Sequence, residues 1–285
     1  MVPHLPTPAP VVAPTIRVCT MTESTPALPS DDSDGSSRRG FGIDVGGSGV
    51  KGGLVDLETG ELIGDRIKIE TPKPATPEAI ADTVAEIVTR AGWDGAVGIT
   101  LPAVVTGGVA RTAANIDKSW IGTDAAALFG QALGGRPVAV LNDADAAGIA
   151  EDTYGAGKDV DGVVVLLTFG TGIGSAVLHR GVLLPNTEFG HMEVHGKEAE
   201  HRAASSVKET KDLSYKEWSA EVSRVLTTFE DLLWPDLFIA GGGISRKSEK
   251  WIPLLTNRTP VVPAALLNTA GIVGAALAAQ TSIAS

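Results

Sequence analysis

From residue 40 onward, short apolar runs broken by glycine alternate with longer segments of helical spacing, and the order of these segments repeats. Phe41–Val45 has the continuous apolar character of a buried strand and leads through Gly46-Gly47-Ser48-Gly49 into a second strand over Val50–Asp56. Glu58-Thr59-Gly60 marks a turn, and Leu62, Ile63, Ile67 and Ile69 predict a third strand within Glu61–Glu70. Thr76-Pro77 reads as an N-cap followed by a first-turn proline. Ile80, Val84, Ile87 and Val88 then recur at helical spacing, and Gly92 closes the helix. Two short strands follow, Ala96–Thr100 and Val138–Leu141, the second after the turn Gly134-Gly135-Arg136-Pro137.

The second half opens the same way. Val163–Thr168 is an apolar strand, Gly174–His179 a returning one, and Gly181–Leu184 a third. A long helix starts at Ser214, where Ser214 and Glu217 have capping-box spacing. Trp218, Val222, Val225, Phe229 and Leu232 give it an apolar face, and Pro235 ends it. Leu237–Ala240 is a strand running into Gly241-Gly242-Gly243, and Ala264–Ala279 predicts a closing helix of small residues containing Asn268, Gly271 and Gly274. A strand meander followed by helix and strand, twice over, predicts an α/β fold with a duplicated βββαβ-type core, its two lobes flanking a ligand cleft. Residues 40–145 are expected to form a small N-terminal lobe, joined by the C-terminal helix near 268–285, and residues 146–267 a large lobe. Residues 1–39 are rich in Pro, Ser, Thr and Asp without periodicity, and are expected to be a disordered extension. Its prolines break any signal-peptide pattern, and Met21 offers a second translation start.

Charge and cysteine content narrow the function. The net charge is −11 and no long basic stripe compensates it, which argues against nucleic acid as a partner. The single cysteine, Cys19, excludes an internal disulfide framework and fits a reducing cytoplasm. No uninterrupted apolar run reaches membrane-spanning length, so no membrane partner is expected.

The candidate chemistry lies at the strand ends. Gly46, Gly47, Ser48 and Gly49, with Lys51 beyond them, form one phosphate-type turn; Thr168, Gly170, Thr171 and Gly172 form another. Glycine there lets backbone N–H groups converge on an anion, because no Cβ blocks close approach or a positive φ. Two such turns suggest two lobes gripping the phosphates of one substrate. Asp44, ending a buried strand beside the first turn, suits either a water-mediated Mg²⁺ contact or a local cap. The second turn is followed by a strand-like stretch rather than a helix, which disfavours a dinucleotide fingerprint, and no Gly-x4-Gly-Lys-Ser/Thr loop occurs.

Asn142-Asp143 sits where an apolar strand meets a small-residue helix over Ala144–Ala150. Asp143 there can take a proton from a substrate hydroxyl attacking phosphorus, with Asn142 orienting the substrate; Asp143 can equally be a plain N-cap. Asp145 is expected to face solvent as a helix-dipole partner. Glu188 and His191 can present polar groups to adjacent hydroxyls of a sugar, or be a solvated Glu and a loop His. A zinc site is not expected around His191, since no cysteine is near and His195 and His201 lack a recognised ligand spacing. Gly241, Gly242 and Gly243 can admit a nucleotide base and ribose, or form a tight turn.

Together these segments resemble the ROK family of sugar kinases, of the actin-like (ribonuclease H-like) fold, over residues 40–279. Asp44-x-Gly-Gly-Ser48-x-x-Lys51 is similar to its first phosphate motif, with Ser48 where Thr is usual. Leu141-Asn142-Asp143-Ala144-Asp145, Thr168-x-Gly-Thr-Gly-Ile-Gly, Glu188-x-Gly-His191 and Gly241-Gly-Gly-Ile-Ser resemble the catalytic, second phosphate, sugar and adenosine motifs. The resemblance implies glucose held by Asn115, Asn142, Asp143, Glu188, His191 and Glu200, with Asp143 as general base towards the 6-hydroxyl. It also implies Mg²⁺ near Asp44, terminal phosphate on the two turns, and Gly241–Gly243 as the nucleotide contact.

Typical members carry a Cys-x-Cys-Gly-x-x-Gly-Cys zinc loop, whereas this chain has Val194-His-Gly-Lys-Glu-Ala-Glu200, so zinc is not implied. The stretches 184–191, 213–218 and 263–274 resemble the actinobacterial subgroup lacking that loop, whose members use inorganic polyphosphate, some also ATP, and some phosphorylate mannose. Lys118, Arg180, Arg246, Lys247 and Lys250 are candidates to line the path of a polyphosphate chain. The alternatives are an ATP-only kinase for another hexose or amino sugar, and a non-catalytic sugar sensor. Sensors of this family carry an N-terminal winged helix-turn-helix, which the Pro/Ser-rich residues 1–39 cannot form, and Asn142-Asp143 favours an enzyme. A monomer or a homodimer is expected.

Overall fold

The structure, a computed structural model, describes residues 39–284. The expectations for Cys19, Met21 and the rest of the N-terminal extension before Arg39 lie outside the described residues.

A meander of β1 (Arg39–Gly46), β2 (Gly49–Asp56) and β3 (Leu62–Ile69) begins the fold, followed by α1 (Pro77–Ala91) and β4 (Val97–Leu101). A small hairpin, β5 (Val105–Thr106) and β6 (Val109–Ala110), precedes α2 (Ala125–Ala132) and β7 (Val138–Asn142). The first sheet has the order β3-β2-β1-β4-β7, with β1, β4 and β7 parallel. After α3 (Asp143–Tyr154) comes a second meander, β8 (Val163–Phe169), β9 (Ile173–His179) and β10 (Val182–Leu184). A two-stranded hairpin, β11 (Glu193–Val194) and β12 (Lys197–Glu198), leads to α4 (Ala199–Ala203), α5 (Ser205–Thr210) and α6 (Tyr215–Leu233). The chain ends with β13 (Leu237–Gly241), β14 (Val261–Pro263) and α7 (Ala270–Ala284). The second sheet, β10-β9-β8-β13-β14, repeats the plan of the first, with β8, β13 and β14 parallel. The duplicated βββαβ-type core is thus present.

Local chemistry sets the helix ends. Thr76 accepts the Ala79 N–H at 3.3 Å, and Gly92 closes α1 at φ 62°. Ser214 and Glu217 form the full capping box of α6. The apolar stripe of α1 (Ile80, Val84, Ile87, Val88) is buried with Phe41, Ile43, Val97 and Ile99 of the first sheet. That of α6 is buried with Val165, Leu167 and Phe169, and with Trp251, whose ring meets Trp218 edge-on at 4.9 Å. Each such fully buried large side chain contributes roughly 1.5–3 kcal/mol.

The helix α7 crosses the first sheet with no room for side chains between. A Cβ at Gly42 or Gly98 would lie 1.8 or 1.7 Å from the backbone oxygens of Ile272 and Ala275. Contrary to expectation, this helix begins at Ala270 rather than Ala264. Val261–Pro263 instead forms an edge strand, where proline is tolerated. The buried Glu151 carboxylate holds the segment that follows, accepting N–H groups of Ala265 (3.0 Å) and Leu266 (2.7 Å). The helix α3 is also longer than expected, and its cap is Asn142 rather than Asp143. Among the described residues, no helix is long and apolar enough to cross a membrane.

Candidate active site

The polar residues collect at the C-terminal ends of parallel strands, where open α/β sheets bind ligands. In the first sheet Asp44 lies near the end of β1, Thr100 lies beside it on β4, and Asn142 ends β7. Lys51 stands opposite Asp44 on β2 and its Nζ lies 3.0 Å from Oδ2; the Thr100 hydroxyl donates to Oδ1 at 3.2 Å. Thr100 in turn accepts the Val45 N–H, so the carboxylate is oriented from two sides. Gly46 faces Gly49 across a tip made by the exposed Gly47 and Ser48. None of these three glycines has a positive φ, so that part of the expectation is corrected. What glycine supplies is clearance: at Gly49 a Cβ would meet Lys68 at 2.9 Å. Asn115, left-handed at φ 58°, lies against Gly47, placing this expected sugar contact beside the first phosphate turn.

The next two residues divide their labour. Asn142 Oδ1 accepts the N–H groups of Ala144 (2.8 Å) and Asp145 (3.1 Å), while its Nδ2 donates to Ala103 O at 3.1 Å. Asn142 caps the helix, and Asp143 takes its first position, where its Oδ1 also accepts the Ala144 N–H at 2.9 Å. Burial, then the nearby charge of Asp44 and more weakly that of Glu188, push its carboxyl up to about 7. Asp145 does not face solvent as expected; it is 2% exposed, because α3 turns that face into the protein.

In the second sheet, Thr168 near the end of β8 is paired with Gly241 at the end of β13, so the second turn and the glycine triplet are neighbours. Gly242, at φ 81°, abuts the Phe169 backbone, where a Cβ would meet the carbonyl oxygen at 2.3 Å. Gly243 and Gly170 have open space on their Cβ side. Thr171 is exposed, and α5 hangs from this turn: Ser205 Oγ donates to Gly170 O and Ser206 Oγ to Thr171 O.

Gly172 touches Glu200, whose Oε2 accepts the Ile173 N–H at 3.4 Å. Glu200 thereby joins the second turn to a cluster that sequence spacing did not reveal. His191 Nδ1 lies 3.3 Å from Glu198 and 3.8 Å from Glu200, and His201 lies 3.5 Å and 3.9 Å from the same two carboxylates. The hydrogen bond to Glu198 is the main cause of a raised His191 pKa. Glu188 is raised by desolvation first and by Glu200, with His191 opposing. One donor atom each from His191, Glu198 and Glu200 falls within 4.8 Å, a set able to hold a cation. His201 lies beside these carboxylates but outside that set, and the His195 backbone carbonyl accepts from Arg202. Glu198 escaped notice because it reaches His191 only through the short β11–β12 hairpin.

The cations expected to line a polyphosphate path have these partners. Arg180 stands at the end of β9 remote from Gly172 and pairs with Asp161 at 2.8 Å. Lys118 donates to Ala113 O at 3.1 Å. Lys250, in the 3-10 segment Gly243–Lys250 that also carries Arg246 and Lys247, meets Lys208 of α5 over one ring: their Nζ atoms lie 6.0 and 4.5 Å from the Tyr215 centroid.

A duplicated sheet bearing two glycine turns, with carboxylates at its strand ends, is the plan of the actin-like sugar kinases. Residues 40–206 match the ROK family, and the chain belongs to it. It is 67% identical over 258 residues to a polyphosphate glucokinase of Mycobacterium tuberculosis (strain CDC 1551 / Oshkosh), covering 90% of this chain and 97% of that protein. Among solved structures it is similar to the inorganic polyphosphate/ATP-glucomannokinase of Arthrobacter sp. strain KM, with TM-score 0.81 and 48% identity over 86% of this chain and 99% of that one. A ROK family glucokinase from Streptomyces griseus, in complex with glucose and AMPPNP, superposes with TM-score 0.71 at 27% identity, covering 86% of this chain and all (100%) of that one.

Proposed function

We propose that this enzyme transfers a phosphoryl group from inorganic polyphosphate or ATP to the 6-hydroxyl of glucose. The observation that carries the reading is Asp143, a carboxyl held near neutrality between the Asp44 corner and Glu188. Its similarity to a polyphosphate glucokinase over nearly the whole of that protein supports the choice of substrates. In this reading residues 40–145 with the C-terminal helix and residues 146–267 are the two lobes.

Asp143 accepts the proton of the 6-hydroxyl as that oxygen attacks the terminal phosphorus, and the donor leaves shortened by one phosphate. Glu188, His191 and Glu200 take the sugar hydroxyls, with Asn115 at the edge and Asn142 fixing the helix that presents Asp143. The turns at Gly46–Gly49 and Thr168–Gly172, with Lys51, take the terminal phosphates, and Gly241–Gly243 the nucleoside when the donor is ATP. Both Asp44 oxygens already have partners, Lys51 and Thr100, while the residue stays partly open. That arrangement fits Mg²⁺ held through water rather than directly. Bound there, the ion neutralises charge on the donor phosphates. His191 and its carboxylates are read as a sugar site, without zinc, in a cytoplasmic enzyme. Lys208 and Lys250 are the cations proposed to meet a longer polyphosphate.

A coupled assay crossing glucose, mannose and an amino sugar with ATP and long-chain polyphosphate tests the proposal. Glucose with polyphosphate is expected to be turned over. Absence of turnover of glucose with either donor overturns the reading, and turnover with ATP alone removes polyphosphate from it.

A further inference from the structure

Asp145 is a buried carboxylate that the reaction above does not use. One oxygen, Oδ2, accepts the Asn186 N–H at 2.7 Å; the other, Oδ1, is buried and has no hydrogen-bond partner among the described residues. A half-satisfied carboxylate at 2% exposure is costly, so whatever it holds must be held firmly for the fold to keep it.

What it holds is a junction. Asn186 lies between β10 and Glu188 and is left-handed at φ 58°. Its side-chain amide pairs with the backbone of Val105 in both directions, Nδ2 donating to the carbonyl and Oδ1 accepting the N–H, each at 2.8 Å. Val105 belongs to the buried core of the first sheet, whereas β10 belongs to the second sheet. On the other side of Asn186, Thr187 exchanges hydrogen bonds with Ser175 of β9, and Phe189 donates to the Ser175 hydroxyl at 3.0 Å. Glu188 is therefore bracketed by pinned residues, yet its own carboxylate makes no capping bond.

We propose that Asp145 is a positioning residue for the acceptor sugar: through Asn186 it ties α3, the 186–188 segment and β5 into one strap that fixes where Glu188 presents its carboxylate. The inference rests on the glucose kinase reading given above. It predicts a split between substrates, because the hydrogen bonds of the strap run to Val105, Asp145 and Ser175 and none of them reaches Gly46–Gly49 or Thr168–Gly172. A displacement of about 1 Å at a substrate-positioning group can cost on the order of 100-fold.

The test compares Asp145→Ala, Asp145→Asn and Asn186→Gly in steady-state kinetics with both substrates varied. Asp145→Ala strands the Asn186 N–H; Asn186→Gly keeps the left-handed backbone and deletes the Val105 pair. Each is expected to raise the glucose KM about tenfold or more while the donor KM and kcat move less than about threefold. Asp145→Asn, which keeps an acceptor for the Asn186 N–H, should restore the glucose KM to within about threefold of the parent. Asn186→Gly keeps the backbone N–H that Asp145 accepts, so the double variant, which loses both ties, should raise the glucose KM at least as far as either single variant. A glucose KM within twofold of the parent in both Asn186→Gly and Asp145→Ala overturns the strap, as does an equal rise in the donor KM. Should Asp145→Ala fail to fold, Asn186→Gly decides alone. A parent protein inactive on glucose would overturn the function instead, so the two failures are distinct.

Discussion

Asp44 and Asp143 share one corner of the first sheet, and after burial the charge on Asp44 is what most raises the Asp143 carboxyl, to about 7. A general base works deprotonated, so kcat should rise with pH through about 7 and level off above it. Asp143→Asn should lower kcat by roughly 10²–10⁴-fold and leave glucose binding, measured by calorimetry, largely intact. Retention of near-parental kcat in that variant would refute the assignment. In Asp44→Asn the residual activity should titrate at lower pH, since one source of the upward shift is gone.

The same shift has a consequence for stability. A carboxyl raised from 3.8 to about 7 binds its proton more tightly in the folded protein. Its contribution is complete below the unfolded value and is lost as pH rises through the folded one, so this group penalises the native state above neutrality. Asp143→Asn should therefore be more stable than the parent at pH ~8, by at most on the order of 4 kcal/mol, and the gain should vanish near pH ~4. Urea midpoints at the two pH values measure it.

Much of this architecture was legible because its signals are local. Thr76-Pro77 with Gly92, and Ser214 with Glu217, are complete helix termini within a few residues of sequence, and both meanders follow from apolar runs between glycines. Where helices lack an amphipathic face the reading failed. The helix α3 is mostly small residues, so nothing in its pattern told that Asp145 points inward, and adjacent Asn142 and Asp143 are equally good caps by chemistry. The start of α7 was misplaced for a related reason: its small residues read as helix from Ala264, while the edge strand and the Glu151 hydrogen bonds that delay it are tertiary. The Glu198–His191 contact depends on a hairpin of two-residue strands, too short to leave a period.

Gly172 tests the coupling between donor and acceptor sides. A Cβ there would lie 2.4 Å from Glu200 Oε2, the far end of a flexible side chain, so the fold can give way while Glu200 moves. Gly172→Ala should leave the melting temperature within a few degrees, as an adaptable surface-side change of about 1 kcal/mol would, yet raise the glucose KM. By contrast, Gly190→Ala would press on the Ile173 carbonyl at 2.2 Å, a backbone atom, and should cost about 1–3 kcal/mol of stability. Equal thermal shifts in the two variants would contradict this distinction.

Donor choice is the last expectation. A chain with net charge −11 must gather cations locally to hold a long polyanion. Lys208 rides on α5, which is bonded to the second glycine turn at Gly170 and Thr171, and it meets Lys250 over Tyr215. No carboxylate pairs with either lysine among the described residues, unlike Arg180, which is bound to Asp161. A solvent-exposed charge pair at contact is worth about 1 kcal/mol, or roughly fivefold in affinity. Lys208→Ala and Lys250→Ala should each raise the KM for long-chain polyphosphate by about that factor and flatten its dependence on salt. In the proposed reading the nucleoside is held at Gly241–Gly243 and uses neither lysine, so the KM for ATP should change less than that for polyphosphate. Equal effects on the two donors would place the polyphosphate chain elsewhere.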